Sequence, residues 1–264
     1  MRELKRLLKT KYDFVCSVGS DCGCAGHLVK NRLRRASYPF DWIGDWYIGV
    51  AGAAATVAAD FAGFLKLENL RRDPNPPRGP QDDLRHDYYH DFTAGFVFAH
   101  DFPAGRDAAE VIAEVREKYD RRIKRFYRTV EASPATLLVY WTWRDRPEPE
   151  DALKAAETFR AKFPGRRVDL LVMRHTECAD IAATAAGDGV FIVDGPFHPE
   201  GAHPAFGDVA VNSRVFSLIR LRGKWRDVAV ERFERMKTRV VSAFIFDREK
   251  RHEYRSRREK PSFI

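Results

Sequence analysis

Two side chains able to do covalent chemistry, Ser20 and Cys22, stand where the apolar run Phe14 to Val18 gives way to the turn Gly19-Ser20-Asp21. A helix is expected from near Cys22, because Ala25, Leu28, Val29 and Leu33 recur at roughly helical spacing. Backbone N–H groups at a helix start lack internal partners and sit at the positive end of its dipole, so an anion placed there is stabilised. A cysteine at such an address loses its proton more readily than a free thiol, and the thiolate is the reactive form. Ser20 and Cys22 are therefore the candidate nucleophiles. The N–H groups near Asp21 and Gly23, with Gly19 ahead of them, could hold an oxyanion or another anion. The plainer readings are a helix N-cap for Ser20 and a small buried residue for Cys22.

A nucleophile of this kind needs a base, and the base needs a residue to orient it. His90-Asp91 and His100-Asp101 end the two arms of an expected hairpin. Adjacent strand residues point to opposite faces, so neither pair is a ready-made dyad, and His100 is a candidate base only through a partner supplied by the fold. Asp194 and His198, in DGPFHPEGAHP, offer a second acid and imidazole, against a reading as turn chemistry among Gly195, Pro196 and Pro199. Cys22, Cys24 and His27 invite a metal, but Cys-x-Cys has no matching second pair and no metal or cofactor is expected. Gly19, Gly23 and Gly26 line a turn that could cradle a phosphate. Their spacing is not the dinucleotide fingerprint. A nucleotide-sugar-binding transferase and a non-catalytic glycan-binding module stand as alternatives to a hydrolase.

The elements that must position these residues alternate. Ala108 to Ala132 carries a helical apolar stripe with Glu114-Lys118 and Glu117-Arg121 pairs on its other side. Thr136 to Trp143 and Arg167 to Met173 read as strands buried on both faces, separated by a helix over Glu148 to Phe163. A helix over Thr176 to Ala186, closed by Gly187, and a strand over Gly189 to Val193 complete the series. This alternation predicts an α/β three-layer sandwich with a mostly parallel central sheet, Rossmann-like or SGNH-like, in which Phe14, Leu138, Leu170 and Phe191 mark neighbouring strands. Sites in such sheets gather beyond the carboxyl ends of the strands. Ile48 to Leu65 suits a packed helix, since its Ala and Gly and Asp60 do not suit a membrane span. The proline-rich stretch Leu70 to Asp87 reads as a surface loop, and with the hairpin of Tyr88 to Phe102 it forms an insertion at 70–105 that could cover the site. A single domain over 1–247 is expected, closed by a packed helix in which Val228, Val230, Phe233, Met236 and Val240 recur, with a basic tail over 248–264.

Ser17, Gly19, Ser20, Cys22, Ala25 and Leu28, followed by Pro39-Phe40-Asp41-Trp42, resemble a bacterial domain family of unknown function described as papain-like cysteine peptidases. A weaker likeness continues in Phe98 to Phe102 and Lys118 to Ile123. The resemblance implies a hydrolase or acyl-transfer enzyme centred on Cys22, a peptide, glycan or small-molecule substrate, and a setting in bacterial surface-polysaccharide metabolism. It makes Asp41 and Trp42 pocket residues, although Asp41 also suits a turn whose carboxylate bonds nearby N–H groups. Unlike papain itself, the chain has no Gln before this cysteine in the usual place and no Trp after it. A second similarity is to the GSCFA-type relatives of SGNH esterases. It implies Ser20 as nucleophile and relates Asp194 and His198, with one residue inserted, to the terminal Asp-x-x-His of those enzymes.

Composition bounds these readings. The chain has 264 residues, is 44% hydrophobic and 12% aromatic, and so has the means to build a real core rather than remain disordered. Half of its formal +8 charge lies in Arg248 to Lys260, where seven Lys and Arg face three Glu. Acidic partners are thus allowed. No helix-turn-helix, zinc-finger spacing or RNA-binding aromatic pair accompanies the charge, and specific nucleic-acid binding is not expected. Four cysteines in a chain this long point to reduced thiols, and the N-terminus lacks an apolar signal core; a cytoplasmic protein without a membrane span is the expectation.

Overall fold

A computed structural model describes residues 4–5, 8–76, 85–196 and 209–223, together with residues 233, 236, 237, 240 and 241. The chain forms two compact units, Met1–Arg220 and Leu221–Ile264. The first is mixed α/β, with a central and mostly parallel sheet flanked by helices.

After a short β1 (Lys11–Tyr12), the first central strand is β2 (Phe14–Ser20), every residue of which is buried. The turn at Asp21 leads into α1 (Cys22–Lys30). The 3-10 turn Pro39–Trp42, β3 (Ile43–Gly44) and α2 (Gly49–Ala58) lie beyond it. Strands β4 (Leu70–Arg72), β5 (His86–Asp91) and β6 (Phe96–Pro103) come next, then the long helix α3 (Ala108–Ala132). The rest of this unit supplies β7 (Ala135–Thr142), α4 (Pro149–Lys162), β8 (Arg167–Thr176), β9 (Ala182–Gly187), β10 (Val190–Pro196) and α5 (Val209–Phe216).

The central sheet has the order β2-β7-β8-β10-β9, parallel except for the edge pair β10-β9. Cys16 pairs with Leu138, Leu138 with Leu170, and Leu170 with Val190, so the expected neighbours are neighbours. Side chains alternate across it. Cys16, Val18, Leu138, Tyr140, Leu170 and Val172 join the large core formed with α2, α3 and α4. Trp141 and His175 belong to the opposite face, where His27 of α1 and Asn212 and Phe216 of α5 meet Trp141 or its neighbours.

Two expectations are corrected. The stretch ending at Gly187 is not a helix but includes the edge strand β9. Alanine favours helix in isolation, yet Ala182 to Ala186 offers no apolar stripe to bury. Asp188-Gly189 instead closes a hairpin against β10, with Gly189 at φ +65°. The second correction concerns the hairpin of the 70–105 region. It is the middle of a four-stranded antiparallel sheet of order β3-β6-β5-β4, because Ile43-Gly44 pairs with Val97-Phe98 and Leu70–Arg72 pairs with Tyr89–Asp91. Residues 77–84 of the expected loop, His198, and the tail over 248–264 lie outside the described residues. No described helix is long and apolar enough to cross a membrane.

Candidate active site

The carboxyl ends of β2 and β7 meet at the start of α1. Gly19 there has φ +133°, and a Cβ on it would fall 2.3 Å from Asp45 Oδ2, so glycine is what lets that carboxylate lie against the strand. Ser20 comes next and is 2% exposed; its Oγ is buried with no hydrogen-bond partner among the described residues. Asp21 is the extended N-cap residue, but its carboxylate does not cap the helix. It accepts hydrogen bonds from Trp46 Nε1 at 3.1 Å and Trp143 Nε1 at 3.0 Å, and pairs with Arg144 at 3.5 Å. The Arg144 guanidinium lies between the same two indoles, 4.0 Å and 4.2 Å from their ring centres. With Asp21 turned aside, Cys22 opens α1 as its first residue, half-buried, beside Gly23.

The other cysteines differ. All four are free thiols, but Cys16 and Cys24 are sealed, and burial holds both thiols well above their ordinary range. Cys24 Sγ also donates to the Val139 carbonyl at 3.7 Å. Cys178 is half-buried.

Behind the turn lies a group of carboxylates. Asp45 donates its backbone N–H to the Ser20 carbonyl at 2.9 Å. Tyr140 Oη lies 3.4 Å from Asp45 Oδ1 and 3.3 Å from Asp145 Oδ2, while Thr142 hydrogen-bonds the other Asp145 oxygen. Burial, then the nearby Asp145 and Asp21, pushes the Asp45 carboxyl well above the usual carboxylate range. Asp21 is raised too, by burial, against the lowering effect of its indole and Arg144 partners. Asp45 and Asp21 therefore keep their protons to higher pH than free aspartates do. Among the described residues, no group of three or more His, Cys, Asp and Glu is arranged to hold a metal.

One imidazole is tied to this cluster through Trp46. His90 stands edge-on to that indole at 5.9 Å and is held at both ring nitrogens, Nε2 by Asp73 Oδ2 at 3.0 Å and Nδ1 by the Tyr47 hydroxyl at 2.9 Å. Pairing of β4 with β5 brings Asp73 and His90 together across 17 residues of chain. An oriented imidazole–carboxylate pair thus stands beyond the Trp46 indole, which in turn bonds Asp21 of the turn.

The remaining expected residues have partners of their own. His100 lies on β6 with its ring edge-on to Trp42 at 5.8 Å. Asp41 is fully buried; it pairs with Arg34 at 2.7 Å and accepts the Tyr38 N–H at 2.6 Å, as suits a turn residue. Arg34 also lies over the Trp42 ring. Asp194 is engaged at both oxygens by Arg174, each at 2.8 Å.

Sequence reasoning missed Asp45, Trp46, Asp73, Tyr140, Trp143, Arg144 and Asp145. One signal was available: the rule that sites lie beyond carboxyl strand ends applies to β7 as well as to β2, β8 and β10, and Trp143-Arg144-Asp145 comes directly after β7.

Comparison with known proteins adds a family. A family model described as "Putative papain-like cysteine peptidase (DUF1796)" matches residues 13–178, well over half of the chain. Cys22, Ser20, Asp45, His90 and Asp145 lie inside the matched segment, and Asp194 lies outside it. An uncharacterized protein of Acanthamoeba polyphaga mimivirus, R408, is 32% identical over 119 residues, which is 42% of this chain and 53% of that protein. The chain thus matches about half the length of this relative, and a viral relative means the likeness is not confined to bacterial proteins. No solved structure matches.

Proposed function

Because the chain belongs to the family DUF1796, described as "Putative papain-like cysteine peptidase", we propose that it is a hydrolase or acyl-transfer enzyme whose nucleophile is Cys22. The observation that carries this reading is the contrast at one turn. Cys22 is the half-buried first residue of a helix, whereas the Ser20 hydroxyl two residues earlier is sealed and the neighbouring thiols of Cys16 and Cys24 are buried. A helix start favours the thiolate over the thiol. It also offers N–H groups to the oxyanion that forms when the thiolate adds to an acyl carbon. As its base we assign His90, which Asp73 orients and whose Nδ1 lone pair the Tyr47 hydroxyl has to release before it can take the thiol's proton. Arg144, clamped between two indoles, supplies positive charge beside the turn and opposes the carboxylates around it. The substrate implied is a small molecule or peptide with an acyl group to transfer; a glycan ester fits the same chemistry.

The serine-esterase alternative gains no support from Ser20, whose Oγ has no base to bond among the described residues. A panel of activated esters and peptide amides, turned over by the wild-type chain, separates the two. Cys22→Ala is expected to abolish turnover, and Ser20→Ala to leave most of it. The reverse pattern would overturn the assignment.

A further inference from the structure

Arg144 follows the carboxyl end of β7 and stands beside the turn from which α1 begins. Its guanidinium has an indole on either side, Trp46 at 4.0 Å and Trp143 at 4.2 Å, yet its side chain is 33% exposed. The carboxylate next to it is already served. Each oxygen of Asp21 accepts one indole N–H, at 3.1 Å and 3.0 Å, and Arg144 Nε comes no closer to Asp21 than 3.5 Å. An arginine placed to neutralise a carboxylate grips it with two N–H donors, as Arg174 grips Asp194 at 2.8 Å on both oxygens. Arg144 makes no such grip: its Nη1 and Nη2 donate no hydrogen bond among the described residues. Ring faces fix its orientation and leave its N–H edge open.

We infer that Arg144 determines specificity, its N–H fork binding a carboxylate that the acyl substrate carries beside the bond attacked by Cys22. The inference rests on Cys22 as the nucleophile. Asp21, the residue that Arg144 approaches, directly precedes Cys22, so the fork and the thiol serve the same turn. A planar guanidinium matches a planar carboxylate with two parallel donors. The indole clamp removes in advance the rotamer freedom that binding would otherwise cost. Asp21 and Asp145 bring carboxylates of their own to this region, so an anion is selected only where Arg144 outweighs them. A guanidinium that merely braced the two indoles would confer no such preference.

Two alkylating reagents of similar size separate charge from reactivity: iodoacetate carries a carboxylate, and iodoacetamide an uncharged amide. The quantity read is the rate at Cys22 with iodoacetate divided by the rate with iodoacetamide, in the full chain at neutral pH. In the folded protein this ratio should be at least roughly tenfold higher than at the same cysteine in the urea-unfolded chain. Arg144→Met should bring it to within about twofold of the unfolded value while Cys16 and Cys24 stay protected, and Arg144→Lys, which keeps the charge but not the fork, should fall between. A wild-type ratio no higher than that of the unfolded chain overturns the inference whatever the variants do. So does a ratio that Arg144→Met leaves unchanged. Fast alkylation of Cys22 with an ordinary ratio strikes Arg144 alone, whereas slow alkylation by both reagents is the separate failure of Cys22 as the nucleophile, and the inference falls with it.

Discussion

Asp45 shows how a single buried side chain can carry a signature of the site. It is fully enclosed, with Asp145 and Asp21 nearby, and its carboxyl is pushed well above the ordinary range. In the unfolded chain the same group ionises near pH 4. The folded state therefore holds an extra proton above that pH, and the stability linked to Asp45 is full below about pH 4 and is lost as pH rises toward the folded value. Asp45→Asn removes the titration and nearly preserves the shape. The melting temperature of the wild type minus that of the variant should therefore fall as pH rises above about 4; a difference independent of pH would contradict the assignment. Asp45 gave no sign of itself in the sequence. Its meaning comes from Gly19 and Tyr140, which lie 26 and 95 positions away and meet it only when β2 and β7 pair. Ser20 and Cys22 were legible because their address depends on a strand, a turn and a helix consecutive in the chain.

Elements were readable in proportion to their length and periodicity. The boundaries of α3 were visible from its stripe and its i,i+4 pairs, and β7 and β8 from uninterrupted apolar runs. The edge strand β9 was not, since small residues carry little signal of either period. The turn before β10 depends on Gly189, where φ is +65° and a Cβ would lie 2.2 Å from Asp169 Oδ1. That carboxylate also accepts the Tyr12 hydroxyl at 2.7 Å and pairs with Arg167 at 3.0 Å. Gly189→Ala should thus strain the turn and disturb the pair, at about 1–3 kcal/mol. Urea denaturation measures it; a loss below about 0.5 kcal/mol would mean that the turn relaxes and does not depend on glycine.

At the scale of the whole α/β unit, the antiparallel sheet is not an appendage. Phe96, Phe98 and Phe102 of β6 belong to the same core as Cys16 and Leu138 of the central sheet, with Phe64 and Tyr119 packed against Phe98. This continuity explains how Trp46, borne near the antiparallel strands, reaches a turn built by the central sheet, with His90 packed against its indole. Phe98→Ala should cost about 3–5 kcal/mol, as large-to-small changes in a packed aromatic core do. Tryptophan fluorescence and far-UV circular dichroism should report one shared midpoint for the loss, since Trp42 and Trp46 sit beside one sheet and Trp141 and Trp143 end a strand of the other. Two separate midpoints would show that the sheets unfold independently. The sequence conveyed the parallel sheet but not this union, because a hairpin's pairing with two-residue β3 and three-residue β4 is set by tertiary contact rather than by local pattern.

The proposal of catalysis at the start of α1 stands most directly on the reactivity of one thiol. Iodoacetamide alkylation of the folded chain at pH 7, tracked residue by residue by mass spectrometry, measures it. Cys22 should be carboxamidomethylated at least roughly tenfold faster than the half-buried Cys178, with Cys16 and Cys24 protected until the chain unfolds. Alkylation of Cys22 no faster than of Cys178 would contradict the assignment of Cys22 as the nucleophile.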